Sequence, residues 1–217
     1  MRLFIYMAAG FILTTNLHAE ETPLVWDEAS ILDDWSRAVR EFRRDHNVGI
    51  LVGQTQTHWQ GATAQVGSIN TNTTGGEVTL QYSFHIPWTH GFGYSLGTST
   101  SVIVGDHSDT IEMHYRATLP GLELGLVWNI NDHWRTNLGG GYGWERVDGL
   151  KVVGQEGRLS LSEETMSAKF SIDYFYKLTW AVRFEVALSR FPHNASASYD
   201  LENSIYRTRI GLIKHLL

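Results

Sequence analysis

The sequence predicts an all-β protein: an eight-stranded antiparallel up-and-down transmembrane β-barrel with an N-terminal periplasmic amphipathic helix. Three observations predict this fold. Apolar and polar residues alternate over eight segments, the connections between the segments are alternately short and long, and the apolar face is too bulky for the inside of a small barrel. With 217 residues, the chain is long enough for one such domain.

Residues 1–19 are predicted to be a secretory signal peptide. Arg2 gives a basic start, residues 3–13 are mostly apolar, and Ala19 is a small residue before two acids. A segment of this length is too short to span a bilayer as a helix. Its cleavage removes one positive charge, which changes the net charge from -6 to about -7. Because no basic surplus remains, nucleic acid is not expected as a partner.

Residues 20–47 are predicted to be a periplasmic segment that contains one helix, over 30–44. Ile31, Trp35 and Val39 recur there at the spacing of an amphipathic helix. Two interpretations stay open. In the first, the helix packs on the barrel mouth, and the arginines near its C-terminus interact with the negative end of the helix dipole. In the second, the helix lies on a lipid headgroup layer.

Residues 48–217 are predicted to form the barrel. The eight alternating segments are 48–59, 77–87, 92–104, 121–130, 134–147, 165–177, 179–190 and 203–216. Short turns join the second segment to the third, the fourth to the fifth and the sixth to the seventh. Connections of about ten or more residues, rich in Gly, Ser, Asn, Thr and Asp, occupy 60–76, 105–120, 148–164 and 191–202. This alternation is typical of bacterial outer-membrane barrels with both termini on the short-turn side.

The apolar wall is predicted to face outwards. In the seventh segment Trp180 and Phe184 share one face, while Arg183 and Glu185 share the other. The interior of an eight-stranded barrel is just wide enough to be filled by side chains, so the many rings of the apolar wall would not fit inside. Only lipid makes an outward apolar wall tolerable. The predicted membrane-facing aromatic belts comprise Trp59, Trp88, Trp128, Trp134, Trp144, Tyr176 and Trp180.

The inward wall is predicted to carry a network of charges. Its members are Glu123, Arg135, Glu145, Lys169, Asp173, Arg183, Glu185, Arg207 and Arg209. Four acids against five bases are close to balance, which favours a plugged, salt-bridged interior over an open pore. A narrow or gated ion path is the alternative.

With this pattern the chain resembles the small Gram-negative outer-membrane barrels of the OmpA, OmpX and PagP size class, over roughly 48–217 and in architecture only. The resemblance implies export to the periplasm, residence in the outer membrane, and contact with outer-membrane lipid and lipopolysaccharide. An extracellular or periplasmic protein partner is a further expectation. No cofactor and no metal site are predicted, and the absence of cysteine removes thiol chemistry.

Three functions remain open from the sequence. The first is a non-enzymatic barrel that acts in envelope structure, adhesion or surface recognition through four extracellular loops. The second is an enzyme that adds or removes acyl chains of lipid A in the outer leaflet, and the third is a small ion or solute channel. PagL-like deacylases use an inward His-x-Ser pair, and the nearest pattern here, Ser83-Phe84-His85, has the inverse order. The catalytic candidates for an enzyme are His107, Ser108, Asp109 and His114.

Overall fold

The computed structural model describes residues 45–63, 67–89, 91–131, 133–154, 158–177, 179–190, 194–195 and 199–216. The predicted signal peptide and the predicted helix over 30–44 lie outside these residues. Within them, no helix is long and apolar enough to cross a bilayer.

The described part of the chain contains ten β-strands, of which eight are long. The long strands are β1 (Asp45–Thr63), β2 (Gly67–Thr89), β3 (Phe92–His107), β5 (Tyr115–Asn129), β6 (Trp134–Val152), β7 (Leu159–Lys177), β8 (Trp180–Arg190) and β10 (Tyr199–Leu216). The other two, β4 (Ile111–Glu112) and β9 (Asn194–Ala195), have two residues each and were not predicted.

The long strands form a closed antiparallel ring. Each pairs with the next along the chain, and β10 pairs back with β1 from His46↔Leu216 to Thr63↔Tyr199. The two short strands add to the ring, β4 on β6 and β9 on β10. Closure leaves the ring without a free edge, so the backbone groups of its paired residues are bonded within the wall.

The strands are longer than predicted, and the predicted long connections are correspondingly wrong. The predicted loop over 60–76 is almost wholly strand, because β1 continues to Thr63 and β2 begins at Gly67. Thr, Asn and Gly indicate loops by composition, yet the β-branched threonines here sit in register with β1. A barrel strand needs about 9–11 residues to cross a bilayer, so these strands extend beyond it at the long-loop end.

The outer wall is apolar, as predicted. Residues such as Ile50, Leu124, Val186 and Ile210 point away from the barrel and are exposed, while their neighbours in sequence point inwards. An apolar surface of this extent on a closed antiparallel ring fits a lipid environment and no aqueous one. The architecture is therefore that of a transmembrane β-barrel.

Six of the seven residues assigned to the aromatic belts lie on this outer wall. Trp88, Trp128, Trp134, Trp144 and Tyr176 are exposed, and Trp180 is half-buried on the same wall, 5.7 Å below the ammonium of Lys214. Trp59 is the exception, and its assignment to a belt was wrong. It is 0% exposed, because it shares the inward parity of Thr55 and Thr57 on β1.

The lumen is layered. An apolar group at the short-turn end, here called the short-turn cluster, contains Leu51, Phe175, Ala181 and Ile213. A larger group, the long-loop cluster, occupies the opposite end and contains Trp59, Ile69, Ile111, Val147, Leu150, Val152 and Leu161, with Met113 packed against it. Charged and polar side chains fill the space between the two clusters.

Candidate functional site

The charged middle of the lumen is the candidate site, and alternation along the strands builds it. Six of the eight long strands turn at least one acid or base inwards, away from lipid. Six acids and six bases face the lumen in the described strands, and the twelve are Glu77, Arg116, Glu123, Arg135, Glu145, Glu163, Lys169, Asp173, Arg183, Glu185, Arg207 and Arg209. An outward charge at mid-membrane would cost about 2–4 kcal/mol, which favours the inward register.

Arg183 and Asp173 form a two-pronged ion pair between β8 and β7. Arg183 Nε donates to Asp173 Oδ1 at 2.6 Å, and Nη2 donates to Oδ2 at 2.7 Å. The remaining arm reaches across the barrel, where Nη1 donates to Gln81 Oε1 at 2.8 Å. All three side chains are buried, so the arginine is satisfied by the chain itself.

Arg209 is held between two carboxylates. Its Nε and Nη2 each donate to Glu77 at 2.9 Å, and its Nη1 donates to Glu185 at 2.6 Å. These bonds join β10 to β2 and to β8. Glu77 was not among the predicted lumen charges. It alternates with the outward Val78 and shares a face with Thr79 and Gln81, so the alternation along β2 would have placed it inwards.

Arg207 is bound more loosely than Arg209. Its Nε lies 3.3 Å from Glu77, its Nη2 lies 3.4 Å from Glu145, and its Nη1 contacts Ser189. The Nε atom makes no hydrogen bond in the described part of the chain. Arg207 is thus a buried cation whose hydrogen-bond capacity is incompletely used.

Arg116 links this network to the long-loop cluster. Its Nε lies 2.8 Å from Glu145 Oε1, and its Nη1 donates to Thr57 at 3.0 Å. The guanidinium carbon lies 4.8 Å from the centre of the Trp59 ring, as in a cation–π contact. Arg116 was missed by the sequence prediction, which placed it in the connection over 105–120.

Two further groups complete the interior. Lys169 contacts Glu123, which also accepts a hydrogen bond from Ser99 at 2.6 Å. Arg135 lies apart, at the short-turn end, where its Nη1 is 2.9 Å from His85 Nδ1 and its guanidinium carbon is 5.0 Å from the centre of the Phe175 ring. The nine charges predicted for the lumen thus all lie on its inner side.

The loop residues suggested for catalysis are not assembled for it. The Ser108 hydroxyl accepts hydrogen bonds from the backbone N–H groups of Thr110 and Ile111 and from the Thr71 hydroxyl, so it closes a turn. His107 bonds the Gly105 carbonyl through Nδ1, at 2.9 Å. The Asp109 side chain is exposed.

His114, the remaining candidate, contacts Arg158. In the described part of the chain no hydrogen bond joins Ser108 to either histidine, whereas a nucleophile needs its base within such reach. Ser83 and His85 are both buried at the short-turn end, and His85 is engaged with Arg135. Among the described residues, no group of three or more His, Asp or Glu has the arrangement of a metal site.

Comparison with known proteins gives a likeness of architecture. Neisserial surface protein A is similar with a TM-score of 0.46 and 7% identity, over 76% of this chain and 96% of that one. The outer membrane protease OmpT of Escherichia coli has a TM-score of 0.46 and 10% identity, over 79% and 97%. Ail, the attachment invasion locus protein of Yersinia pestis, has a TM-score of 0.40 and 13% identity, over 78% and 99%. No family model and no curated protein sequence matches the chain.

Proposed function

We propose that this chain is a non-enzymatic outer-membrane barrel with a filled, charged lumen, which acts in envelope structure, adhesion or surface recognition through its long-loop end. One observation carries the proposal. The middle of the lumen is crossed by buried ion pairs, and the apolar long-loop cluster lies directly above them.

The ion pairs support a closed lumen on energetic grounds. Arg183, Arg209 and Arg116 are each bound by carboxylates contributed by other strands. A permeating ion would have to separate at least one of these pairs. Leaving one member of a buried pair without its partner costs about 3–5 kcal/mol, so conduction through this lumen is unfavourable.

The long-loop cluster supports the same conclusion. Trp59, Ile111 and Leu150 come from β1, β4 and β6 and are fully buried, so they fill the lumen at this level. The short strand β4 contributes to this closure by pairing with the end of β6 at Ile111↔Val152. Conduction past this cluster would require apolar side chains to move aside.

The strand extensions at the long-loop end support a role in recognition. The outward side chains of β1 and β2 here are polar and uncharged, among them Gln56, Gln60 and Asn70. They stand on a paired backbone, and His58 and Asn72 are joined across the strands at 2.9 Å. A rigid polar surface of this kind binds a partner without a large ordering cost.

Single-channel recording in planar bilayers tests the closed lumen. The purified barrel is expected to give no discrete conductance steps. The variant Arg116→Ser/Glu145→Ser, which removes both partners of one pair and one of the two carboxylates beside Arg207, is expected to raise the leak because the lumen gains space. Steps of defined size in the unaltered protein would contradict the proposal and indicate a channel.

Mass spectrometry of lipid A from cells with and without the overexpressed protein tests the absence of enzymatic activity. The two spectra are expected to be the same. An acyl mass that is gained or lost with the protein, and that reverts with His107→Ala, would identify an enzyme instead.

A further inference from the structure

The barrel wall is interrupted on both sides of β5. Regular pairing with β3 lapses between Gly97↔Glu123 and Ser101↔Thr118, and pairing with β6 shifts between Leu119↔Trp144 and Leu122↔Tyr142. The segment over 119–122 has the sequence Leu-Pro-Gly-Leu, and its proline has no N–H to give to a ladder.

A close approach to β6 explains the position of this bulge. A Cβ on Gly121 would lie 2.3 Å from the Tyr142 carbonyl oxygen, so only glycine lets the two backbones come so near. β5 thus lies close to β6 at the point where its ladder with β3 lapses. The Thr100 hydroxyl partly bridges the seam by donating to the Thr118 carbonyl at 2.8 Å.

Two cavities meet at this interruption. On the outer wall an apolar groove of about 580 Å³ is bordered by Phe84, Leu96 and Trp144, among others. On the lumen side a cavity of about 40 Å³ is bordered by Ser99, Glu123, Lys169, Arg207 and Arg209. Gly121, Leu122 and Tyr142 line both, so only the bulge separates the groove from the cavity.

The outer groove is apolar and the inner cavity is charged, so together they match the two ends of an amphiphile. The groove is within the size range of pockets that hold small ligands, and it lies on the apolar outer wall. The inner cavity has room for about three waters, which suits a carboxylate but no sugar or phosphodiester headgroup. Its lining has three cations and one acid.

Two buried polar groups along this path make no hydrogen bond in the described part of the chain. One is the Thr98 hydroxyl, beside the groove. The other is Arg207 Nε, beside the inner cavity, which lies 3.3 Å from Glu77 as an ion pair only. Buried polar groups normally have partners, and a ligand that carries acceptor oxygens would supply them.

We propose that the wall between β3 and β5 is a lateral binding site for a long-chain fatty acid. The acyl chain lies in the outer groove, and the carboxylate passes the bulge to accept hydrogen bonds from Arg207. This site opens sideways to the membrane and ends blindly in the lumen, so it is compatible with a barrel that conducts nothing along its axis.

Native mass spectrometry of the detergent-solubilised full barrel, titrated with oleic acid and with methyl oleate, tests the site. One oleate per barrel is expected, and the ester, which has no charge, is expected to bind at least about tenfold more weakly. Arg207→Gln is expected to remove most of this preference for the acid. Equal binding of acid and ester to the unaltered barrel would overturn the proposal.

A matched pair of variants locates the ligand without touching the ion pairs. Leu122 borders the groove and is 56% exposed, while Leu126, on the same strand and face, is 55% exposed and lies outside it. Leu122→Trp is expected to weaken oleate binding about tenfold and Leu126→Trp to leave it within about twofold. Equal effects of the two variants would show that oleate binds elsewhere. Displacement of oleate by lysophosphatidylethanolamine at equal concentration would exclude a carboxylate-specific site.

Discussion

Among single residues of the lumen, Arg183 shows that a buried charge needs both an ion-pair partner and acceptors for its hydrogen bonds. Its guanidinium donates to three acceptor atoms, two on Asp173 and one on Gln81, and the side chain is buried. An isolated charge at this depth would be strongly unfavourable, so the pair stabilises the barrel chiefly by keeping each partner from being alone.

Arg183→Met is therefore expected to lower the free energy of unfolding by about 3–5 kcal/mol, because Asp173 stays buried without its cation. The double variant Arg183→Met/Asp173→Leu is expected to recover most of the loss. Arg190→Met is the control, since this exposed arginine pairs with Glu202 at 3.7 Å and contributes about 1 kcal/mol or less. Urea unfolding in lipid vesicles measures all three, and a double variant no more stable than the single one would contradict the argument.

Trp59 supports the barrel from the opposite end. Trp59→Ala is expected to cost about 3–5 kcal/mol of unfolding free energy, because it leaves a cavity beside Arg116 and removes the ring beneath that cation. Trp144→Ala on the outer wall is expected to cost less, since lipid fills the space that the ring leaves. The same urea titration compares them, and equal losses would show that Trp59 is not packed as described.

Most of these side chains could be placed from sequence by parity, and the errors have specific causes. Trp59 was assigned by residue type to an aromatic belt, whereas its odd number on β1 puts it inwards with Thr55 and Thr57. Glu77 lay at the first position of a predicted segment and was overlooked. The partners of Glu77 and Gln81 could not be predicted, because Arg209 and Arg183 lie on strands that are distant in sequence.

At the scale of elements, the bulge in β5 shows why a simple alternation of inward and outward residues cannot be extended along a whole strand. Its inward residues have even numbers before the bulge, as at Arg116, and odd numbers after it, as at Glu123 and Val127. An extra residue in one strand reverses the face of everything beyond it. No alternation pattern begun at Leu122 could therefore have placed Arg116 in the lumen.

The close contact of β5 with β6 makes a second element-scale prediction. Gly121→Ala is expected to destabilise the barrel markedly or prevent its folding, because the new methyl group would meet backbone atoms of β6 that cannot move aside. Gly76→Ala on β2 is the matched control. A Cβ there has nothing within 4 Å, so this change is expected to be neutral or slightly stabilising. The heat-dependent shift of the folded barrel on electrophoresis reports the outcome, and an equally stable Gly121→Ala barrel would contradict it.

At the scale of the whole barrel, the apolar exterior gives a depth-dependent prediction. Val186→Arg near the middle of β8 is expected to cost about 2–4 kcal/mol, since the charge would face the bilayer centre. Ile130→Arg in the turn after β5 is expected to cost about 1 kcal/mol or less, because its side chain lies near the interface. Both positions are about equally exposed, at 51% and 50%. Equal costs would place the membrane boundary elsewhere.

The closed architecture was predictable because short turns and period-two segments are local properties. The lengths of the strands at the long-loop end were not, because turn-forming residues such as those over 68–76 are also compatible with strands once a partner strand is present. The two-residue strand β4 was not predicted either, because it exists only through its pairing with β6, which is a tertiary contact.

The ion pairs that cross the lumen also constrain how the barrel can be made. Glu77 and Arg209 are 132 residues apart in the chain, and Gln81 and Arg183 are 102 apart. They meet only when β10 reaches β1, so these contacts form with ring closure, whereas Asp173 and Arg183, on the neighbouring strands β7 and β8, can pair before it. An open sheet inserted hairpin by hairpin would present Glu77 to hydrocarbon without Arg207 and Arg209. Assembly is therefore cooperative, with the unclosed chain kept where water or another protein solvates its inner face until the last strand docks.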